Sequence, residues 1–175
     1  MILIEDNFDD TSPENQGRLA RDLLLRGLQE GFGIRDMPEW DYGEFGKPFF
    51  KDYPDIHFNL SHCVRAVSCY ISDRPAGIDV ETVMEYDDDL ARYISSPLEY
   101  EGIIRSERPD IAFTSLWTKK ESYCKLTGIG LTDREAIRNI LTGNDCDFKT
   151  IINEAKGYVL TSCSYPLPCL NEDFR

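Results

Sequence analysis

The chain has 175 residues, 41% of them hydrophobic, enough to bury a core in one domain. Thirty-two Asp and Glu stand against 19 Lys and Arg, a formal charge of −13, which argues against a nucleic-acid partner, because neutralising a phosphate backbone takes a dense basic surface. No apolar run approaches the ~20 residues of a membrane span, and Met1-Ile-Leu-Ile-Glu5 lacks a secretory pattern, so no membrane association and a cytoplasmic location are expected.

In chain order, Pro13 opens a helix to Glu30 with Leu19, Leu23, Leu24 and Leu28 on one stripe, closed by Gly31 and Gly33. Gly46-Lys47-Pro48 is a turn that presents one lysine. Strands are predicted over 56–61, 65–72 and 76–81, and helices over about 86–94, 97–106 and 110–127, the last ended by Gly128. Residues 148–155 and 157–164 read as a hairpin turning at Lys156-Gly157, followed by an irregular tail at Pro166 and Pro168. Strands followed by helices and a further hairpin make an α+β chain. The six cysteines, at 63, 69, 124, 146, 163 and 169, show no CxxC spacing and no metal-like pairing with histidine. They read as reduced thiols, and zinc is not expected.

Two motifs carry the chemistry. In Gly77-Ile-Asp-Val-Glu81, strand alternation puts Asp79 and Glu81 on one face and Ile78 and Val80 on the other. Two anions on one face repel unless a cation lies between them. In Trp117-Thr-Lys-Lys-Glu-Ser-Tyr-Cys-Lys125, Glu121 and Lys125 are i and i+4 on one helix face. Either motif alone is equally compatible with solvated charge, the second as a helix pair contributing roughly 0.2–0.5 kcal/mol. Chance occurrence is about 2% of chains this long for the first pattern and roughly one in a thousand for the second, with each residue type near one in twenty. Three carboxylates and a lysine suit a hard cation and a phosphate group, since Mg²⁺ prefers oxygen ligands beside substrate phosphates. A third element, Ile56-His-Phe-Asn-Leu-Ser-His62, brings Ser61 and His62 to a strand end, where they read either as structural groups or as phosphate or acid–base contacts.

The order Gly-Lys-Pro, Phe-Asn-Leu-Ser-His, Gly-Ile-Asp-Val-Glu, Trp-x-x-Lys-Glu-x-x-x-Lys resembles the 4′-phosphopantetheinyl transferases of the surfactin-synthetase-activating type over residues 46–130, extending into Leu126-Thr-Gly-Ile-Gly-Leu131. The resemblance implies one domain of two similar α+β halves, about 1–74 and 75–175, forming an intrachain pseudo-dimer with the site between them, and hence a monomer. It implies Mg²⁺-dependent transfer of the phosphopantetheine arm of coenzyme A to a serine of an apo acyl or peptidyl carrier protein, releasing 3′,5′-ADP, the holo-acyl-carrier-protein synthase activity. Asp79, Glu81 and Glu121 look like the Mg²⁺ ligands, Glu121 also being the first candidate base, directly or through water. Lys125 looks like the lysine near the pyrophosphate, Ser61 and His62 like nucleotide phosphate contacts, and Lys47 like a further coenzyme A contact. Glu99 matches an acidic position between the two motifs.

The chain departs from the pattern at Cys63, in its short run of 45 residues before Gly46, and in its acidity. Arg18, Arg21 and Arg26 are the basic residues that the first helix offers toward a 3′-phosphate. Carrier proteins are acidic too, so docking would need local basic relief, for which Lys119, Lys120 and Lys125 are the candidate cluster. Two other readings stay open: a different Mg²⁺-dependent diphosphate-cleaving transferase or hydrolase on the same carboxylates, and a non-catalytic acidic binding module.

Overall fold

The computed structural model describes residues 1–43, 46–129, 134–143 and 145–166. Of the positions singled out above, Gly130, Leu131, Pro168 and Cys169 lie outside the described residues. Thirteen elements are described: β1 (Ile2–Glu5), α1 (Pro13–Phe32), β2 (Trp40–Tyr42), β3 (Pro48–Phe50), β4 (His57–His62), β5 (Val67–Ser72), β6 (Ala76–Thr82), α2 (Asp88–Ile94), α3 (Pro97–Ile104), α4 (Pro109–Thr127), α5 (Arg134–Asn139), β7 (Asp147–Asn153) and β8 (Tyr158–Ser164). The mixture is the expected α+β.

They form two antiparallel three-stranded sheets, β1-β5-β4 and β6-β8-β7, and a small β2-β3 ribbon. In each three-stranded sheet the strand latest in sequence lies in the centre. In each, a long helix, α1 or α4, falls between the first strand and the other two.

Side-chain alternation explains the layering. Leu23, Leu24 and Leu28 of α1 pack with Val67, Cys69 and Ile71 of β5 and Phe58 of β4. Burying each leucine contributes roughly 1.5–3 kcal/mol. On its other side the first sheet, through Ile2, Ile4 and Tyr70, meets Ile78 and Val80 of β6 and Tyr158 and Leu160 of β8. The order is therefore helix, sheet, sheet, helix, with α4 on the outer face of β6 and β8. A Thr118–Thr161 hydroxyl contact of 2.8 Å and a Thr150–Thr161 contact of 3.0 Å join α4, β8 and β7. Ser12 caps α1 by accepting from the amide of Asn15, and Pro13 begins it, where a missing N–H is harmless.

Five elements depart from the sequence reading. β1, the ribbon strands β2 and β3, and α5 were not anticipated, and the β7–β8 turn is wider than two residues: Asn153 ends one strand and Tyr158 begins the next. The short strands hold through long-range partners. β1 is zipped to β5, and the ribbon is held by Trp40 and Phe50 packing with Phe58 at centroid distances of 5.5 and 4.4 Å. The wide turn is closed by Asn153, whose carbonyl accepts from Gly157 and whose side chain accepts from Lys156. No helix among the described residues is long and apolar enough to cross a membrane, and Cys63, Cys69, Cys124, Cys146 and Cys163 form no disulfide among the described residues.

Candidate active site

The site forms where β6 lies against α4. Gly77 makes the approach possible: a β-carbon there would stand 1.9 Å from the Ser122 carbonyl oxygen and 2.6 Å from the Leu126 amide nitrogen, so only glycine fits. Two residues on, Asp79 faces the same helix and is 3% exposed. Its Oδ1 accepts from Lys125 Nζ at 2.8 Å and from Ser61 Oγ at 2.8 Å. Lys125 Nζ also donates to Ser61 Oγ at 2.9 Å. Asp79 Oδ2 is buried with no hydrogen-bond partner, and an orphaned carboxylate oxygen is costly unless something else satisfies it.

Glu81 and Glu121 feel the same charge. Burial, then Asp79, push the Glu81 carboxyl up to about 7; Glu121 adds to the rise, while Lys125 and a hydrogen bond from the Trp117 side chain oppose it. Burial and Asp79 also raise Glu121, against the pull of Lys125. Trp117, Glu121 and Lys125 sit at i, i+4 and i+8 of α4, one stripe turned toward β6. Trp117 opens the helix motif read from sequence but was given no role there; the same spacing could have assigned it to the site. Cooperating carboxylates with raised proton affinity beside a lysine are characteristic of functional sites.

As they stand, no three His, Cys, Asp or Glu side chains among the described residues form a ready metal cluster; the Lys125 ammonium is the cation beside Asp79. The donor set nevertheless suits a hard divalent cation. All three side chains offer oxygen, one oxygen is buried and unpaired, and two carboxyls are driven toward protonation by burial and by the charge of Asp79.

Beside this cluster opens a cleft of about 430 Å³. Glu121 and Lys125 line one side; Trp40, Tyr42, Lys47 and Pro48 of the ribbon region line the other. Lys47 lines the cleft, but its Nζ donates to the Leu126 carbonyl at 2.5 Å and so caps the C-terminal end of α4, beside the left-handed Gly128. Burial lowers its proton affinity.

The remaining expected positions divide. Ser61 is buried in the cluster, whereas His62 is exposed and lies on the opposite face of β4, with Phe58 and Leu60. Glu99 completes the capping box of α3 with Ser96 and pairs with Lys120 at 2.9 Å. Lys120 is 0% exposed and also donates to the carbonyls of Ile137 and Arg138, so the expectation of a basic docking cluster that includes it is corrected. Turned to the other side of α4 from Lys125, it has been drawn inside by three acceptors. Arg18 is paired with Asp22 at 2.9 Å, and Arg21 lies over the Trp40 ring at 4.7 Å.

Comparison with known proteins follows the same residues. The family model of the 4′-phosphopantetheinyl transferase superfamily matches residues 75–163. A Bacillus subtilis protein named 4′-phosphopantetheinyl transferase is 39% identical over 120 residues, covering 65% of this chain and 53% of its own length. The 4′-phosphopantetheinyl transferase Sfp of Bacillus subtilis (strain 168) is 37% identical over 91 residues, 51% of this chain and 41% of its own. The L-aminoadipate-semialdehyde dehydrogenase-phosphopantetheinyl transferase of Saccharomyces cerevisiae is 32% identical over 141 residues, 74% of this chain and 51% of its own. The chain thus spans about half the length of the curated relatives it matches.

Proposed function

This chain belongs to the 4′-phosphopantetheinyl transferase superfamily, and on that premise we propose that it moves the phosphopantetheine arm of coenzyme A onto a serine of an apo acyl or peptidyl carrier protein, with Mg²⁺, releasing 3′,5′-ADP. The observation that carries the reading is the convergence of Asp79, Glu81, Glu121 and Lys125 beside a cleft. A merely acidic binding module has no reason to set two part-buried carboxyls in the field of a buried aspartate and leave one oxygen of that aspartate unpaired in the interior.

In the proposed reaction the serine hydroxyl oxygen bonds to the phosphorus that carries the pantetheine arm. The bond from that phosphorus to the bridging oxygen breaks, and the electron pair leaves on 3′,5′-ADP. Such transfers depend on alignment and charge neutralisation more than on covalent help. Asp79, Glu81 and Glu121 would hold the Mg²⁺, which when bound supplies Lewis-acid stabilisation of the diphosphate oxygens. Glu121, at the cleft wall, takes the serine proton, directly or through water; burial and Asp79 raise its proton affinity above that of a free carboxylate. Lys125, 30% exposed in its side chain, presents positive charge to the diphosphate. Lys47 and the ribbon wall would bound the nucleotide, and His62 is retained as an expected phosphate contact to be tested. The two sheet-and-helix units, about 1–74 and 75–175, are proposed to be the halves of a single pseudo-dimeric domain acting as a cytoplasmic monomer.

Incubation with coenzyme A, Mg²⁺ and a panel of apo carrier proteins tests the assignment. The expected result is a carrier heavier by one phosphopantetheine arm. Coenzyme A breakdown without carrier labelling would instead favour a diphosphate hydrolase on the same residues.

A further inference from the structure

We infer that Ser61 is a positioning residue for Asp79, an inference that rests on the metal role proposed above. Its hydroxyl is used up inside the protein. It donates to Asp79 Oδ1 at 2.8 Å and accepts from the Val80 amide at 3.2 Å and from Lys125 Nζ at 2.9 Å. One donor proton and two lone pairs are all that a serine hydroxyl offers, so no capacity is left to greet a phosphate.

The strand order explains why a serine stands there. β4 and β6 are each at the edge of their sheet, so each has backbone groups that no neighbouring strand of its own sheet pairs. The Val80 amide is one of these, and Ser61 takes it. The hydroxyl therefore joins the two sheets at the place where Asp79 projects. With Ser61 and Lys125 both on Oδ1, the Asp79 carboxylate is held by one oxygen while Oδ2 is left over, buried and unpaired. That division makes Oδ2 the oxygen available to a cation, and Ser61 the group that fixes the carboxylate plane. Groups that orient a metal-binding carboxylate typically affect metal affinity about ten- to a hundredfold when removed.

The test uses Mn²⁺ as the probe, its binding followed by electron paramagnetic resonance of the free ion, without coenzyme A. Ser61→Ala is expected to weaken Mn²⁺ binding about tenfold and to leave metal-free binding of 3′,5′-ADP within about twofold of wild type, since on this account Ser61 touches no phosphate. Ser61→Thr, which keeps the hydroxyl, restores Mn²⁺ binding. Should the alanine variant fail to fold by circular dichroism, Ser61→Cys keeps the volume but offers only a weak donor and should still lose Mn²⁺ affinity severalfold. Unchanged Mn²⁺ affinity in the folded variants, with weakened 3′,5′-ADP binding, overturns the inference and makes Ser61 a phosphate contact, leaving the proposed function intact. A wild-type protein that binds no Mn²⁺ under any of these conditions overturns the metal reading itself.

Discussion

Two lysines on α4, five residues apart, meet carboxylates inside the protein and do different things. Lys120 is wholly enclosed, with Glu99 and two backbone carbonyls as its three acceptors, one for each N–H of the ammonium. Lys125 is part-exposed at the cleft and bonds Asp79 and Ser61 beside two further carboxylates, while Asp79 keeps an unpaired oxygen. The first pair is complete and ties α3, α4 and the residues of α5 together. The second is crowded with negative charge and incomplete, and it is the cluster proposed above to take up a cation and a phosphate. What separates a structural ion pair from a functional one here is whether its hydrogen-bonding capacity is exhausted.

The largest expected effect breaks the complete pair. Lys120→Ala removes one partner of a buried ion pair and should cost about 3–5 kcal/mol in urea unfolding, Glu99 being left without its counter-charge. A loss under about 1 kcal/mol would mean that the pair is no more than a surface contact. Asp79→Asn acts on the other pair. It keeps an acceptor for Ser61 and Lys125 but removes the charge, so transfer should fall by about a hundred- to a thousandfold while unfolding changes little. Unimpaired transfer would remove Asp79 from the chemistry.

Gly77→Ala probes the contact that makes the second pair possible. The added methyl collides with α4 backbone, which should cost about 1–3 kcal/mol and weaken transfer through separation of Lys125 from Asp79, with the Lys120–Glu99 pair untouched. An alanine variant with wild-type stability and rate would show that the approach is not needed.

The smallest effect is in pH. Glu81 holds its proton up to about 7 in the folded chain against 4.5 for the free side chain, because of burial and Asp79. The folded state therefore binds more protons than the unfolded one across that window, and its contribution to stability is present below about 4.5 and lost as pH rises toward 7. Wild type should lose more thermal stability than Glu81→Gln between pH 5 and pH 7.5, and Mg²⁺ should narrow the difference at the upper end. Parallel profiles would contradict the crowding of the cluster.

Much of this comparison was legible beforehand, for local reasons. The α1 stripe, the β4–β6 run, the three helices α2–α4 and the final hairpin follow from periodicity and caps. The Asp79/Glu81 face and the Glu121/Lys125 face follow from the strand and helix repeats. The roles of the two lysines were not, because Lys119, Lys120 and Lys125 look alike in sequence. Only the packing of α3 and α5 on one side and β6 on the other sorts them. The same holds for Ser61 and His62, adjacent in sequence yet turned to opposite faces of β4, one into the cluster and one to solvent. β1 and the ribbon were invisible because three or four residues carry no periodicity and draw their stability from distant partners. Lys47 could be flagged by its turn, but its bond to the end of α4 spans 79 residues of chain.

The most direct measurement is the intact mass of an apo carrier protein after exposure to coenzyme A, Mg²⁺ and either the wild-type chain or Asp79→Asn. The account predicts a gain of one phosphopantetheine arm with the wild type and none over the same period with the variant. Equal labelling by the two proteins, or labelling by neither across the carrier panel, would contradict it.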